Sequence, residues 1–276
     1  MFRLGWFSTG RGEGSKGLLR TVQESIRRGE LDARIEFVFC SREKGQTGAT
    51  DRYLEMVEDY GIPLVTFSYR DFKKGRPDTD ESGNLAPWRL DYDREAMARL
   101  EKFRMDMGVL AGYMLIVGPE MCRQYPLLNL HPAAPGGPAG TWQEVIWQLI
   151  ESGANRTGVK MHLAIPELDE GPTATYCTFS IRGEPFDRYR AEIEGQPVSE
   201  LKDKYGEDLP LFRLIRQYGY LRELPLVVAT IRAFSQGMVK ITADRRIADA
   251  AGRPIAGYDL SREIDAQVRN QLPHQA

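Results

Sequence analysis

Short apolar runs alternate with amphipathic segments along the first half of the chain. Four runs have the length and composition of buried strands, at residues 2–8, 34–41, 63–67 and 107–113. The intervening segments 15–28, 50–60 and 92–103 repeat apolar residues at helical spacing and carry charge on the outer face. Strands that alternate with helices through short connections predict a parallel sheet covered by helices on both faces.

The second half of the chain continues this sheet. Apolar runs at 127–131, 159–165 and 173–181 predict three more strands around one helix at 141–152. Helical patterns at 208–217 and 224–237, the latter ended by Gly237, and a strand near 238–243 complete the pattern. The prediction is an α/β fold with a mostly parallel sheet.

Two stretches interrupt the alternation. Residues 70–90 are polar and rich in Gly, Pro and Asp, which predicts a long surface loop. Residues 182–222 are highly charged and contain apolar patches such as 211–215, which is typical of an insertion that covers a subunit interface or lids a site. No linker-like stretch separates two apolar cores, so we expect one domain over residues 1–276. The charged segment 182–222 with its apolar patches is compatible with a homodimer but does not establish one.

Charge and composition exclude several classes of function. Lys and Arg number 37 against 39 Asp and Glu, a formal net charge of −2, so nucleic acid is not expected as a partner. No apolar run approaches the roughly 20 residues of a membrane span, and the N-terminus has the pattern of a strand and loop, not of a signal peptide. The three cysteines form no C-x-x-C pair, which favours buried thiols in a reducing compartment. We therefore expect a cytoplasmic protein without a membrane partner.

A glycine-rich loop follows the first predicted strand. Residues 8–17, STGRGEGSKG, lead into a helix near Leu18. Glycines let the backbone approach an anion, and a helix N-terminus offers unpaired N–H groups. The spacing matches neither a P-loop nor a dinucleotide fingerprint. The loop therefore indicates either an anion site or a tight turn that packs the helix against the strand.

Asn129 and His131 end the strand at 127–131 and lie on the same face of it, because side chains alternate along a strand. In an open parallel sheet, the carboxyl ends of the strands line the ligand crevice. An amide donor beside an imidazole suits a reaction in which negative charge develops on a carbonyl oxygen. The alternative is that both side chains satisfy local backbone groups.

Asp169 lies beside the turn made by Gly171 and Pro172, after the predicted strand that carries His162. An aspartate in a partly dry loop can hold a protonated histidine or accept a proton through water, although such a turn is also typical of a solvated loop. Two of the three histidines, His131 and His162, fall in these strands, which favours a functional interpretation. The spaced ligand pairs of a zinc site are missing, so we expect no metal.

These segments together resemble the folate-dependent formyltransferase family. The resemblance follows the order of the chain and rests on seven segments. They are the strand and glycine loop (2–20), WRLDYDRE (88–95), VLAGYM (109–114), LNLHP (128–132), GVKMH (158–162), ELDEGP (167–172) and the terminal helix and strand (224–243). It implies a Rossmann-like sheet with helices on both faces, and transfer of a formyl group from 10-formyltetrahydrofolate to an amine.

The resemblance also implies roles for individual residues. Asn129 and His131 would polarise the formyl carbonyl and stabilise the oxyanion of the tetrahedral intermediate. Asp169 would hold His131 charged and order a water that carries the proton, with His162 in support. The residues that match a binding site for the substrate phosphate are Gly12, Gly14, Ser15, Lys16 and Arg89. Those that match the pterin pocket are Met114, Ile116, Val117, Leu168 and Glu170.

Some positions depart from the family pattern. The glycine loop is longer, the segment after His131-Pro132 is shorter, and Leu115 stands where an arginine is common. The position of a second phosphate-binding cation falls near Gln217. Its potential substitutes are Arg213, Arg216 and Arg222. The family chemistry stays the leading interpretation despite these departures, and the amine acceptor stays open.

Four interpretations of the function remain after the sequence. The leading one is transfer to a phosphorylated amine, glycinamide ribonucleotide or a relative. Transfer to an amino sugar nucleotide or aminoacyl-tRNA is the second, and the near-neutral charge argues against tRNA. Hydrolysis of formyl-folate is the third, and the family's hydrolases carry an N-terminal regulatory domain before a segment that here begins at residue 2. Non-catalytic folate or nucleotide binding is the fourth, and it gives no reason for an oxyanion device. Nicotinamide-dependent oxidoreduction is disfavoured, because Ser41, Arg42 and Glu43 follow the second strand in place of a strand-end acid.

Overall fold

A computed structural model of the 276-residue chain describes residues 1–77, 79, 85–167 and 169–271. Strands and helices alternate through most of this length. The strands are β1 (Phe2–Ser8), β2 (Ala33–Cys40), β3 (Leu64–Thr66), β4 (Met107–Leu110), β5 (Leu127–His131), β6 (Arg156–Leu163), β7 (Thr173–Ser180), β8 (Val239–Ile241), β9 (Ile247–Asp249) and β10 (Tyr258–Asp259). The helices are α1 (Glu13–Arg27), α2 (Gly48–Asp59), α3 (Tyr69–Lys73), α4 (Pro87–Leu100), α5 (Pro119–Gln124), α6 (Trp142–Glu151), α7 (Phe186–Ala191), α8 (Val198–Tyr205), α9 (Pro210–Ser235) and α10 (Ser261–Val268).

The described strands form a main sheet of eight strands in the order β10-β7-β6-β5-β4-β1-β2-β3, and β8 and β9 form a separate hairpin. Pairing in the main sheet is parallel except at β6, which runs antiparallel to both β5 and β7. The predicted mostly parallel α/β sheet is therefore confirmed, with one reversed strand. That strand carries His162.

Helices cover both faces of the sheet. On one face α1, α2, α9 and α10 pack over Trp6, Val38 and Met161 in the first core cluster. On the other face α4 and α5 pack over Phe7, Phe39 and Leu127 in a second cluster. Because side chains alternate along each strand, residues next to the buried Leu128 and Met161 point toward the second face. The residues proposed for catalysis lie on this second face.

Strand prediction from the apolar runs agrees well with the structure. The predicted strands at 2–8 and 127–131 match β1 and β5 residue for residue. The prediction of a loop throughout 70–90 is wrong at both ends, because α3 extends to Lys73 and α4 begins at Pro87, a residue favoured at the first helical position. Residues 78 and 80–84 of that predicted loop lie outside the described residues.

The two helices predicted at 208–217 and 224–237 are one helix, α9, with Pro225 in its interior. Residues 182–222 form α7, α8 and the first half of α9, which pack against α6 around a third core cluster. Leu211, Phe212, Leu214 and Ile215 are buried in that cluster. The apolar patch that suggested an interface or lid is therefore buried in the core of the chain and is not available for either role. Among the described helices, none has the length and apolar character to cross a bilayer.

Candidate active site

The centre of the candidate site is the antiparallel pair of β5 and β6. Asn129 lies opposite His162 in the ladder, and His131 lies opposite Lys160. These four side chains share the second face, and cross-strand neighbours at such positions are in contact range. The pairing of β6 with β7 is irregular between Met161 and His162. Bulges of this kind aim a side chain away from the regular ladder, and they are frequent beside active sites.

The carboxylate of Asp169 lies between the two imidazoles. Its Oδ2 is 3.5 Å from His131 Nδ1, and its Oδ1 is 3.4 Å from His162 Nε2. Asn129 Nδ2 is 3.3 Å from Asp169 Oδ1 and 3.1 Å from His162 Nε2, and the backbone N–H of Gly140 donates to Oδ2 at 3.3 Å. The structure therefore brings Asn129, His131, His162 and Asp169 together, as the sequence predicts.

The loop that carries Asp169 is shaped by close backbone packing. Asp169 has φ 59°, the left-handed region that non-glycine residues seldom adopt. At Gly171, a Cβ would be only 1.7 Å from the carbonyl oxygen of Leu163, so this position requires glycine. The loop therefore lies directly on β6, and this contact sets where the carboxylate points.

Burial and neighbouring groups act in opposite directions on the pKa of His131 and on that of Asp169. Burial lowers the pKa of His131 below its ordinary 6.5, and the carbonyl of Pro138 and the charge of Asp169 only partly offset this. For Asp169 burial raises the pKa, but the hydrogen bond from His162 and the charge of His131 outweigh it, and its pKa is lowered. The resemblance implied that Asp169 holds His131 charged. The carboxylate acts in that direction, but desolvation of the imidazole is the larger effect.

His131 is also closed off by backbone. Its side chain is 3% exposed, and Nε2 donates to the carbonyl of Pro138 at 2.8 Å. The segment that supplies this carbonyl joins β5 to α6, which begins after Thr141 with a capping box to Glu144. In this structure both imidazole nitrogens of His131 therefore face protein acceptors.

The glycine loop joins β1 to α1 and packs against the end of β4. Thr9 donates its backbone N–H to Gly112 and accepts from Met114 N at 2.9 Å through its hydroxyl. Cβ atoms at Gly12 and Gly14 would meet nothing within 4 Å, so the backbone is open there. Ser15 and Lys16 are buried, and Lys16 forms an ion pair with Glu13. Open backbone at the start of a 15-residue helix fits an anion contact at Gly12 and Gly14.

Arg89 requires a correction. We predicted a cation available to a phosphate, but its side chain is 3% exposed and paired with Asp93. Nη2 donates to Asp93 Oδ1 at 3.1 Å and to the carbonyl of Ile116 at 2.6 Å, and the buried Nη1 has no partner. Arg89 therefore braces the segment after β4. The i, i+4 spacing of Arg89 and Asp93 on one helix is the signal that would have predicted this pair.

The residues proposed for the pterin pocket divide into three groups. Met114 and Ile116 are 51% and 41% exposed, which is unusual for large apolar side chains and fits contact with a ligand ring. Val117 is buried in the second core cluster, so its side chain is not available to a ligand. Glu170 is exposed, and Leu168 lies outside the described residues.

The substitutes suggested for a second phosphate cation all have acidic partners. Arg213 pairs with Asp208, Arg216 with Glu223, and Arg222 with Asp265. Arg222 is buried and also donates to the carbonyl of Tyr218 at 2.9 Å. In this structure each of these three arginines is therefore already paired with an acidic side chain of the same chain.

One buried charged residue in the centre was not singled out from the sequence. Lys160 on β6 is 6% exposed and lies opposite His131 on β5. The available signal was a lysine within the apolar run VKMHLAI, two residues before His162 and therefore on the same face. Within the described part of the chain, no group of three or more His, Cys, Asp or Glu side chains is arranged to hold a metal ion.

A cavity of about 450 Å³ lies far from these groups. It is lined by residues at the amino ends of the parallel strands, including Phe2, Met107 and Pro126. Asn129 and His131 lie at the opposite, carboxyl end of β5. The cavity is therefore separate from the candidate site.

Comparisons with known proteins give the same family as the motifs. The family model for formyl transferase matches residues 12–182, more than half of the chain. Phosphoribosylglycinamide formyltransferase from Saccharomyces cerevisiae is 30% identical over 169 residues, which are 57% of this chain and 75% of that enzyme. Formyltetrahydrofolate deformylase from Haemophilus influenzae is 27% identical over 146 residues, 52% of this chain and 44% of that enzyme.

The fold is also that of solved structures. The phosphoribosylglycinamide formyltransferase of Coxiella burnetii superposes with a TM-score of 0.65 at 16% identity, over 94% of this chain and 98% of that one. At this identity the match supports the fold alone. The family model spans every residue of the central cluster, from Asn129 to Asp169. The chain therefore belongs to the formyl transferase family, a family of one-carbon transferases.

Proposed function

We propose that this enzyme transfers a formyl group from 10-formyltetrahydrofolate to the amine of a phosphorylated acceptor, glycinamide ribonucleotide or a close relative. The observation that carries the proposal is the convergence of an amide, an imidazole and a carboxylate. Asn129, His131 and Asp169 all lie within 3.5 Å of a neighbour in one cluster. The similarity to the yeast enzyme supports the choice of acceptor.

Each of the three groups has one task in this reaction. The acceptor amine attacks the formyl carbon, a new C–N bond forms, and the carbonyl electron pair moves to oxygen. N–H groups of Asn129 and His131 donate to that oxygen, a contribution of about 3–4 kcal/mol to the barrier for one such donor. Asp169 accepts the ammonium proton through a water. When the carbonyl re-forms, the bond to the folate nitrogen breaks and that nitrogen takes the proton.

Substrate binding has to change contacts of both oxyanion donors in this structure. Asn129 Nδ2 lies 3.3 Å from Asp169 Oδ1 and 3.1 Å from His162 Nε2, so the oxyanion has to replace one of these partners. The bond of 2.8 Å between His131 Nε2 and the Pro138 carbonyl occupies a donor that the oxyanion needs. We expect the segment between β5 and α6 to move away when the formyl donor binds. The glycines at 136, 137 and 140 in this segment allow such a change, since Gly136 and Gly140 have φ values of 71° and 109°.

Both substrates have candidate binding residues near this centre. The exposed Met114 and Ile116 would contact the pterin ring, and Leu168 and Glu170 are further candidates for this pocket from the family resemblance. The open backbone of Gly12 and Gly14, with Ser15 and Lys16 at the start of α1, would bind the phosphate of the acceptor. The chemistry of these residues fits an anion at the glycine loop and an apolar ring at Met114 and Ile116.

Hydrolysis of the formyl donor is a second candidate, favoured by the similarity to a formyltetrahydrofolate deformylase. The same three groups would act, with water in place of the amine as the nucleophile. The two reactions differ in their products. Transfer consumes the acceptor and adds one formyl group to it, whereas hydrolysis gives formate whether or not the acceptor is present.

The test is incubation of the enzyme with 10-formyltetrahydrofolate, with and without glycinamide ribonucleotide, followed by mass spectrometry of the products. We expect formylated ribonucleotide in the complete mixture and no formate in the mixture without acceptor. Formate in both mixtures would select hydrolysis. Absence of both products, with folate binding retained, would leave only a binding function and contradict the proposal. An amino sugar nucleotide in a third mixture tests the alternative acceptor.

A further inference from the structure

Lys160 places an ammonium group inside the candidate site. It lies in the middle of β6, between His131 on β5 and Tyr176 on β7 in the two ladders. The residue is 6% exposed, and no ion pair joins it to an acidic side chain among the residues that the structure describes. A buried lysine without a carboxylate partner is costly, because desolvation penalises the charge. A buried charge at this cost, next to His131, indicates that the lysine has a functional role.

The contact made by this ammonium is with the backbone of the catalytic loop. Nζ donates to the carbonyl oxygen of Asp169 at 3.4 Å. Asp169 has the left-handed φ of 59°, a conformation that the surrounding contacts must hold in place. The carbonyl belongs to the same residue whose carboxylate lies between the two histidines. A group that fixes the carbonyl thus also fixes the carboxylate.

We propose that Lys160 is a positioning residue of the formyl-transfer centre, which holds the Asp169 backbone and places a positive charge beside His131. The proposal rests on the proposed function for its consequence in catalysis. Because Lys160 lies opposite His131 in the ladder, its positive charge would add stabilisation as negative charge develops on the oxygen that His131 contacts.

The surrounding charges act in a consistent way. The nearby positive charge of Lys160 adds to burial in lowering the pKa of His131, while the Pro138 carbonyl and Asp169 raise it. Burial lowers the pKa of Lys160 itself, and Asp169 opposes that change. The other titratable groups that face this pair are His162 on β6 and Tyr176 on β7, whose pKa is raised by burial and by Asp259. Asp169 is thus the acidic group that couples the lysine to both imidazoles.

The experiment compares Lys160→Met with Lys160→Arg. Methionine is close to lysine in size and removes both the charge and the donor, whereas arginine keeps both. The control is Lys240→Met, because exposed Lys240 also donates to a backbone carbonyl, that of Ala250 at 3.0 Å, away from the site. The readout is NMR titration of the histidine ring protons, with His131 assigned from its missing signal in His131→Gln. A second readout is the pH profile of kcat.

For Lys160→Met we expect the titration midpoint of His131 to move upward, and kcat to fall about 10-fold or more through misplacement of Asp169. Lys160→Arg and Lys240→Met should leave the midpoint near that of the unmodified enzyme. A His131 midpoint that stays unchanged in Lys160→Met would overturn the proposal. The titration needs no formyl transfer. Failure of the proposed function would therefore appear as missing product in the unmodified enzyme, while the role of Lys160 would still be read from His131.

Discussion

His131 Nδ1 and Asp169 Oδ2 are 3.5 Å apart, and both side chains are almost completely withdrawn from solvent, at 3% and 7% exposed. A carboxylate at this distance attracts a proton to the imidazole, while burial repels it. The balance between these two effects determines the protonation state in which the enzyme meets its substrates. It also gives the first test of the site.

Asp169→Asn keeps the size of the side chain and removes its charge. We expect kcat to fall by about 100-fold or more, because a group that accepts a proton in the reaction is lost. The His131 pKa should fall further, since the carboxylate that raises it is gone. Initial rates and histidine NMR titration measure the two effects. Asp106→Asn, in the Arg3 pair at the amino ends of β1 and β4, should leave kcat unchanged. Equal loss in both variants would contradict the assigned role.

Asn129→Asp is expected to abolish the amide donor without altering the shape of the side chain. We expect kcat to fall about 100- to 1000-fold, because an oxyanion then meets a carboxylate in place of an N–H. KM for the acceptor should change little. Steady-state kinetics at saturating folate measures both parameters. Asn155→Asp is the control, since its Oδ1 only accepts from Arg182 at the surface and the substitution keeps that acceptor. A variant at position 129 with normal kcat would remove this residue from the mechanism.

The stability of the protein should depend on pH through His131. Its folded pKa is lowered below 6.5, so at lower pH the unfolded chain binds a proton that the folded chain binds less readily. The free energy of unfolding is therefore expected to fall as pH drops from about 7.5 to about 5. Asp169, whose pKa is also lowered, contributes stability that is lost only as pH falls below 3.8.

The variant His131→Gln isolates this contribution. Urea denaturation at the two pH values should show a smaller loss of stability in the variant than in the unmodified protein. Identical losses in both proteins would mean that His131 titrates as freely when folded as when unfolded.

Gly171→Ala should be strongly destabilising. The added Cβ would lie 1.7 Å from the Leu163 carbonyl oxygen, so the loop of Asp169 has to move away from β6. We expect a loss of about 1–3 kcal/mol in the free energy of unfolding, together with a loss of activity. Gly14→Ala is the control, because a Cβ there meets nothing within 4 Å and alanine favours the first turn of α1. Denaturation midpoints compare the two, and equal midpoints would show that the loop tolerates the methyl group.

Arg89→Met tests the corrected role of this arginine. Its loss leaves Asp93 buried without its cation, and burial already raises the pKa of that carboxyl. Breaking a buried pair costs about 3–5 kcal/mol, so we expect a large fall in stability. Arg94→Met, in an exposed pair with Glu120, should change the stability little, because solvent screens an exposed ion pair. If Arg89→Met keeps full stability and loses only acceptor affinity, the original phosphate assignment is right.

Periodicity predicted the sheet well because buried strands are continuous apolar runs, as in residues 2–8 and 127–131. It failed at Pro225, where tertiary packing of a long buried helix outweighs the single hydrogen bond that proline removes. The convergence of Asn129, His131 and Asp169 followed from motif and strand alternation together. The burial of Arg89 and Lys160 did not, because the charge of a side chain gives no indication of the cavity or partner that surrounds it. The cytoplasmic location and a homodimer stay predictions.

The antiparallel pairing of β6 with β5 limits which insertions and deletions this enzyme can tolerate. Asn129 and His131 meet His162 and Lys160 only in the observed pairing, in which polar side chains alternate with Met161 and Leu163. A slip of one residue would turn the imidazole and the ammonium into the apolar layer under α9 and leave thioether and methyl groups beside the amide. An insertion or deletion within this strand should therefore abolish turnover even in a chain that still folds.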